Sequence, residues 1–180
     1  MQTELKNLQR QTGKPFILVT HDQSEALSIS DLVVVMDGGT VQQLGTPQEL
    51  YSHPTTRFVA SFVGETNVLS CRIVEVAAET VTISWNGREL IAWRPPHLKL
   101  TEGREAVAVL RPESIKCSSI PLEGYRNCMG ARIAGRTFEG AHTRLLLEAD
   151  GDRTTFWASA TSNDAAALPD QIHIGWHERD

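Results

Sequence analysis

The sequence Phe16-Ile17-Leu18-Val19-Thr20-His21-Asp22-Gln23-Ser24-Glu25-Ala26-Leu27, followed closely by Asp31-Leu32-Val33-Val34-Val35-Met36, decides how the first part of the chain is expected to fold. Two apolar, largely β-branched runs have the length of strands that are covered on both faces. Between them, Asp22 is suited to the N-cap of a short helix, and Glu25 follows three residues later, as in a capping box. The pattern predicts a βαβ unit whose strands, 16–20 and 32–36, are parallel.

His21 stands directly after the first predicted strand. Open α/β sheets place ligand-contacting groups at the carboxyl ends of their strands, so this position suits a functional side chain. Taken alone, however, one histidine is more often an ordinary surface or core residue than a ligand contact. The surrounding sequence favours the functional interpretation.

Residues 19–67, VTHDQSEALSISDLVVVMDGGTVQQLGTPQELYSHPTTRFVASFVGETN, resemble the C-terminal end of ATP-binding-cassette (ABC) ATPases that power bacterial solute importers. The resemblance is closest to the subfamily that serves maltose, glycerol phosphate, polyamine and ferric-ion importers. It implies that His21 is the switch histidine that contacts the γ-phosphate of ATP in an intact ATPase. Asp22 and Glu25 match the acidic residues that usually flank it.

The other parts of such an ATPase are missing from the sequence. It contains no G-x-x-x-x-G-K-[ST] loop (Walker A) whose backbone N–H groups would cradle phosphates, no LSGGQ signature and no apolar run ending in Asp-Glu (Walker B). We therefore expect a C-terminal fragment of a transport ATPase with no cofactor and no catalysis of its own, although the enzymatic status of the chain stays open. The resemblance assigns ATP and magnesium to the intact parent.

Composition narrows the classes of partner and site. The net charge of −5 argues against nucleic acid, because contacts with its backbone require surplus Lys and Arg. The three cysteines, Cys71, Cys117 and Cys128, show neither C-x-x-C spacing nor an even count, which indicates thiols without a metal site or disulfide framework. No apolar run approaches the length of about 18 residues expected of a membrane span, and no signal-peptide pattern opens the chain.

The pattern changes near Gly64, which is predicted to end a helix and to mark a domain boundary. Residues 1–64 are expected to form the α/β end of the nucleotide-binding domain, with helices starting near Thr46 and Thr56. Residues 65–180 alternate with period two and carry the Asn86-Gly87 hairpin signal, which predicts an all-β barrel or sandwich. Its strands are predicted at 68–76, 80–85, 89–93, 105–110, 127–138, 143–148, 154–158 and 171–176, with a turn at 150–152.

The second half resembles the same family at Leu110-Arg111-Pro112-Glu113-Ser114-Ile115, which matches an arginine-proline-glutamate motif. The resemblance implies a transport-associated oligonucleotide-binding-type (TOBE) domain, an OB-like β-domain appended to the ATPase. Arg111 and Glu113 could form an ion pair that shapes a ligand-facing loop. Alternatively, Pro112 only stiffens a connection and the charges are solvated, since surface ion pairs contribute about 0–1 kcal/mol.

Two functional hypotheses remain. In the first, the chain is the C-terminal part of an importer's ATP-binding subunit and serves dimerisation and regulation. The resemblance then implies a second ATPase subunit and transmembrane permease subunits as partners, at the cytoplasmic face of the cell membrane. In the second, the chain is a stand-alone β-module that binds a small oxyanion or solute. The motifs do not separate polyamine, sugar and iron transport.

Overall fold

The computed structural model describes residues 2–96, 98–151 and 154–180, except the side chain of Gln2. The chain divides into two compact units, unit 1 ending at Glu65 and unit 2 spanning Thr66–Asp180. The predicted order, a small α/β part followed by an OB-like β-domain, is confirmed. The assignment of residues 1–64 and 65–180 to two named domains stays a prediction.

From residue 2 onward, unit 1 forms four short helices and one β-hairpin. The helices are α1 (Gln2–Thr12), α2 (Gln23–Ile29), α3 (Pro47–Ser52) and α4 (Arg57–Phe62). The strands β1 (Val33–Asp37) and β2 (Thr40–Gly45) pair in an antiparallel fashion. Gly38 and Gly39 both have positive φ, 54° and 79°, as the two central residues of a type I′ turn require.

The predicted parallel βαβ unit is wrong. Residues 14–20 are not a strand, and β1 pairs with the hairpin partner β2. A strand exists only where a neighbouring strand accepts its hydrogen bonds, and a two-residue turn closes a hairpin more readily than a crossover joins parallel strands. Ile17 and Val19 are therefore 94% and 93% exposed despite their apolar character.

The helices of unit 1 start where their caps predict. Thr46 and Glu49 form a complete capping box, with the Thr46 side chain accepting the Glu49 N–H and the Glu49 carboxylate accepting the Thr46 N–H. Thr56 caps α4 by accepting the Val59 N–H. The two helices pack on β1 through a small core, which consists of Val35, Leu50, Val59 and Val63.

The described residues of unit 2 form nine strands in two sheets. The strands are β3 (Asn67–Val76), β4 (Thr80–Trp85), β5 (Arg88–Trp93), β6 (Glu105–Leu110), β7 (Lys116–Ser118), β8 (Asn127–Glu139), β9 (His142–Ala149), β10 (Thr155–Thr161) and β11 (Gln171–Trp176). One sheet has the order β5-β4-β3-β6 and the other β10-β9-β8-β11-β7. The outer strands β10 and β7 of the second sheet lie close together, so that sheet curls strongly.

All eight strands predicted for this half are present within three residues at either end. Asn86 and Gly87 have φ values of 49° and 78°, which confirms the type I′ turn between β4 and β5. The predicted turn at 150–152 includes Asp152, which lies outside the described residues; Gly151 has φ +83°. Three elements were not predicted: β7, a 3₁₀ turn at Pro112–Ser114 and the helix α5 (Ser162–Ala167).

The two sheets of unit 2 enclose one apolar core, to which both contribute alternate residues. Buried asparagine side chains join strands of different sheets at two places. The amide of Asn127 on β8 both donates to the Ile91 carbonyl and accepts the Ile91 N–H, each at 2.8 Å. Asn67 on β3 accepts the Trp157 N–H at 2.6 Å and donates to the carbonyls of Trp157 and Leu110 at 2.8 and 3.1 Å. Each amide thus replaces a pair of inter-strand backbone hydrogen bonds.

None of the helices that the structure describes has both the length and the apolar character needed to cross a bilayer.

Candidate functional site

The candidate site is the corner that carries His21, immediately before α2. Asp22 caps this helix, with its Oδ1 accepting the Glu25 N–H at 3.0 Å. The Asp22 N–H donates to the Thr20 hydroxyl at 3.0 Å. The predicted capping box is therefore only half formed, because Thr20 takes the place that the Glu25 carboxylate would occupy. Residues on both sides of His21 thus make hydrogen bonds, and its imidazole is exposed.

The helix behind this corner is anchored within unit 1. α2 packs against α1 and α3, and its Leu27 lies against the small core. The side-chain Oε1 of Gln23 accepts the N–H of Gly64 at 3.0 Å. The corner therefore presents an exposed histidine beside a capped helix start, and an imidazole N–H in such a position can donate to an acceptor outside unit 1.

The described residues offer no cluster of three or more His, Cys, Asp or Glu side chains that could hold a metal ion. The His21 corner by itself supplies one titratable ring. Phosphoryl transfer depends on the positioning and electrostatic stabilisation of the whole phosphate chain, which takes a phosphate loop and magnesium. The γ-phosphate contact that the family resemblance implies for His21 stays a prediction.

The Arg111-Pro112-Glu113 motif links β6 to β7 through the 3₁₀ turn. Arg111 and Pro112 are buried whereas Glu113 is exposed, and the turn packs against β10. A proline buried at this connection suits the stiffening role. A ligand-facing role for Arg111 and Glu113 stays a prediction.

The tryptophans of unit 2 mainly serve packing. Trp85 and Trp176 are buried in the core, and Trp85 meets Phe156 edge to face at 6.4 Å between ring centroids. Trp157 is half-buried and its ring is covered by the Arg144 guanidinium, 4.1 Å from the ring centroid. This cation–π contact occupies one ring face that a nucleic-acid base would need for stacking.

The thiols of two of the three cysteines are expected to react slowly. Burial raises the pKa of the Cys71 thiol, and it raises the pKa of the Cys117 thiol to about 11, the adjacent Lys116 opposing the shift only in part. Both thiols thus remain protonated and unreactive near neutral pH. Cys128 is exposed.

Comparison with known proteins decides the family. The TOBE domain family matches residues 108–180. The spermidine/putrescine import ATP-binding protein PotA of Acidothermus cellulolyticus is 44% identical over 181 residues, covering 98% of this chain and 46% of the relative. The chain corresponds to the C-terminal, TOBE-containing portion of an ABC importer ATPase.

Similar PotA proteins of this importer family occur in distant bacteria. That of Trichormus variabilis is 40% identical over 149 residues, covering 82% of this chain and 39% of the relative. That of Rubrobacter xylanophilus is 37% identical over 182 residues, covering 99% of this chain and 47% of the relative. The chain spans less than half of the length of each of these relatives.

The fold of the chain also resembles that of a solved structure, the cytoplasmic molybdate-binding protein ModG with molybdate bound. The TM-score is 0.55 at 18% sequence identity, over 62% of this chain and 90% of that chain. At this identity the likeness concerns the fold alone.

Two features were not predicted from the sequence. They are the Gln23–Gly64 hydrogen bond and the hydrogen bonds by which Asn67 and Asn127 join the two sheets of unit 2. Each joins residues far apart in the chain, so no local spacing indicates the partner. The type of residue was a weak signal for the two asparagines, since Asn127 opens a predicted strand and Asn67 directly precedes one although asparagine disfavours strands.

Proposed function

We propose that this chain is the phosphate-sensing and regulatory portion of the ATP-binding subunit of a polyamine importer. The observation that carries the proposal is the solvent-facing His21 beside the capped start of α2, in a chain similar throughout to spermidine/putrescine import ATP-binding proteins. In the intact parent, ATP and magnesium would be held by the nucleotide-binding domain, and His21 would contact the γ-phosphate.

The neighbouring residues have supporting roles in this proposal. Asp22 caps the start of α2 through its bond to the Glu25 N–H, so this helix start, next to His21, forms without bound nucleotide. Arg111, Pro112 and Glu113 form the turn of the TOBE domain through which we expect regulatory contacts to be made. No catalysis is assigned to the chain by itself.

The partners follow from the same proposal. They are a second ATPase subunit, in a homodimer that the TOBE domain helps to form, and transmembrane permease subunits. The intact complex would lie at the cytoplasmic face of the cell membrane.

The proposal is tested first on the chain alone. Phosphate release from ATP and magnesium is expected at the level of buffer, and His21→Ala is expected to leave that level unchanged. Light scattering at tens of micromolar is expected to give twice the 19.9 kDa mass of one chain. ATP hydrolysis above buffer that His21→Ala abolishes would overturn the assignment, and a monomer mass would overturn the dimerisation role.

A second candidate function, binding of a small oxyanion by the β-domain, is favoured by one observation, the shared fold with a molybdate-binding protein. Calorimetric titration of the chain with molybdate, and with sulfate as a comparison, tests it. The regulatory proposal predicts no saturable heat with either anion. Saturable binding of molybdate that sulfate does not reproduce would favour the second candidate instead.

A further inference from the structure

Gln23 connects the His21 corner to the place where the chain leaves unit 1. It is the first residue of α2, two positions after His21. Its side-chain Oε1 accepts the N–H of Gly64, a residue 41 positions further along the chain, in a part-buried hydrogen bond of 3.0 Å. Gly64 is followed by Glu65, the last residue of unit 1.

The partner of the Gly64 N–H is unusual for the end of a helix. A glycine that follows a helix with positive φ commonly donates its N–H back to a carbonyl of the same helix. Here the Val63 N–H donates to the Val59 carbonyl at 2.8 Å, whereas the N–H of Gly64, with φ +81°, donates to the Gln23 side chain on α2. The direction in which the chain leaves α4 therefore depends on the position of α2.

We propose that Gln23 is a positioning residue that couples the His21 corner to the exit of the chain from unit 1 toward the TOBE domain. This inference rests on the proposed function for its physiological meaning, because a γ-phosphate contact at His21 would bias the start of α2. A displacement there moves the acceptor of the Gly64 N–H, and the φ and ψ angles of Gly64 respond. The conformation of one peptide thus reports the state of the phosphate contact.

Three variants separate the hydrogen bond from general packing. Gln23→Met keeps the length of the side chain but removes the oxygen acceptor, whereas Gln23→Glu keeps an oxygen in the same place and should restore the bond. Gln48→Met is the matched control, since Gln48 is an exposed glutamine in the first turn of another helix of unit 1.

The first readout is hydrogen exchange of the Gly64 amide in the 180-residue chain. Gln23→Met is expected to speed exchange about three- to tenfold, the range that one net hydrogen bond supports, while Gln23→Glu and Gln48→Met leave it near the wild-type rate. Asp22→Ala, which loosens the start of α2, should speed Gly64 exchange when Gln23 is present and add nothing in the Gln23→Met background. Additive effects of the two substitutions would overturn the coupling.

The second readout is a distance between labels that would not change if Gln23 had only a local structural role. Nitroxide labels on the exposed Cys128 and on a Ser52→Cys variant give the distribution of distances between the two units. We expect Gln23→Met to broaden this distribution and Gln23→Glu to return it to the wild-type width. Equal widths in all variants would overturn the proposal and leave the importer assignment intact, because neither readout involves ATP.

Discussion

Replacing Asn127 by alanine tests whether buried amides hold the two sheets of unit 2 together. Asn127 is 1% exposed, and both polar atoms of its amide bond to the backbone of Ile91. Alanine removes two hydrogen bonds and leaves a part-buried N–H and C=O at Ile91 without their partner. Each such group costs about 1–3 kcal/mol, so the free energy of unfolding should fall by about 2–4 kcal/mol after partial rehydration.

Tryptophan fluorescence in a urea titration measures this loss selectively. All four tryptophans lie in unit 2, and Trp85 and Trp176 are buried in its core, so their emission follows the unfolding of this unit alone. Asn163→Ala is the control because Asn163 is an exposed asparagine on the short helix α5, where substitution should cost less than about 0.5 kcal/mol. A shift of the urea midpoint no larger for Asn127→Ala than for this control would refute the role of the amide.

Asn127→Asp adds a test of the same geometry through pH. The carboxylate can still accept the Ile91 N–H, but its second oxygen then faces the Ile91 carbonyl. Burial beside that carbonyl favours the protonated form, so the folded-state pKa of this carboxyl should lie above the unfolded value of about 3.9. Relative to wild type at each pH, the variant should be least destabilised below that value and lose stability as pH rises through the folded pKa. A pH-independent difference would contradict this arrangement.

Three further predictions follow from the structure. Asn67→Ala removes three hydrogen bonds to Trp157 and Leu110 and should lower the free energy of unfolding by about 2–5 kcal/mol in the same urea titration, a null result excluding the second link. The thiol reagent DTNB at pH 8 should modify Cys128 rapidly and Cys117 only after unfolding, because burial raises the pKa of Cys117 to about 11. Rapid modification of two thiols in the folded chain would contradict that burial. The hydrogen bonds from Thr46 lower the pKa of the Glu49 carboxyl, so an NMR titration should place its midpoint below 4.5. The stability that the capping box contributes should be present above pH 4.5 and be lost as pH falls through the lower folded pKa. A midpoint at or above 4.5 would show that the box is open.

The β-domain was largely predictable because its signals are local. Period-two alternation and the Asn86-Gly87 turn depend on residues that are neighbours in sequence, and the strands that they predict are present. The missed strand β7 has three residues, too few for an alternation to show. The missed helix α5 did carry a signal, since Thr161 accepts the Asp164 N–H in the spacing of a helix cap.

The first unit was less predictable because its sequence does not show whether the run 16–20 has a strand beside it. The run 16–20 has the composition of a buried strand, but composition does not supply the adjacent strand that would accept its hydrogen bonds. The corner of the candidate site was predicted correctly at Asp22, whose cap is local, and incorrectly at Glu25, where Thr20 competes for the same N–H. Gln23 was not singled out because its partner is 41 residues away.

The central claim is that His21 acts on a phosphate held by the rest of an importer ATPase. The most direct measurement adds the missing part of the ATPase. The N-terminal part of the Acidothermus cellulolyticus relative is mixed with this chain, and ATP hydrolysis by the mixture is followed. The account predicts that the mixture hydrolyses ATP, that His21→Ala reduces the rate at least tenfold, and that His53→Ala, at another exposed histidine of unit 1, leaves it unchanged. Hydrolysis that is equally fast with His21→Ala would contradict the account.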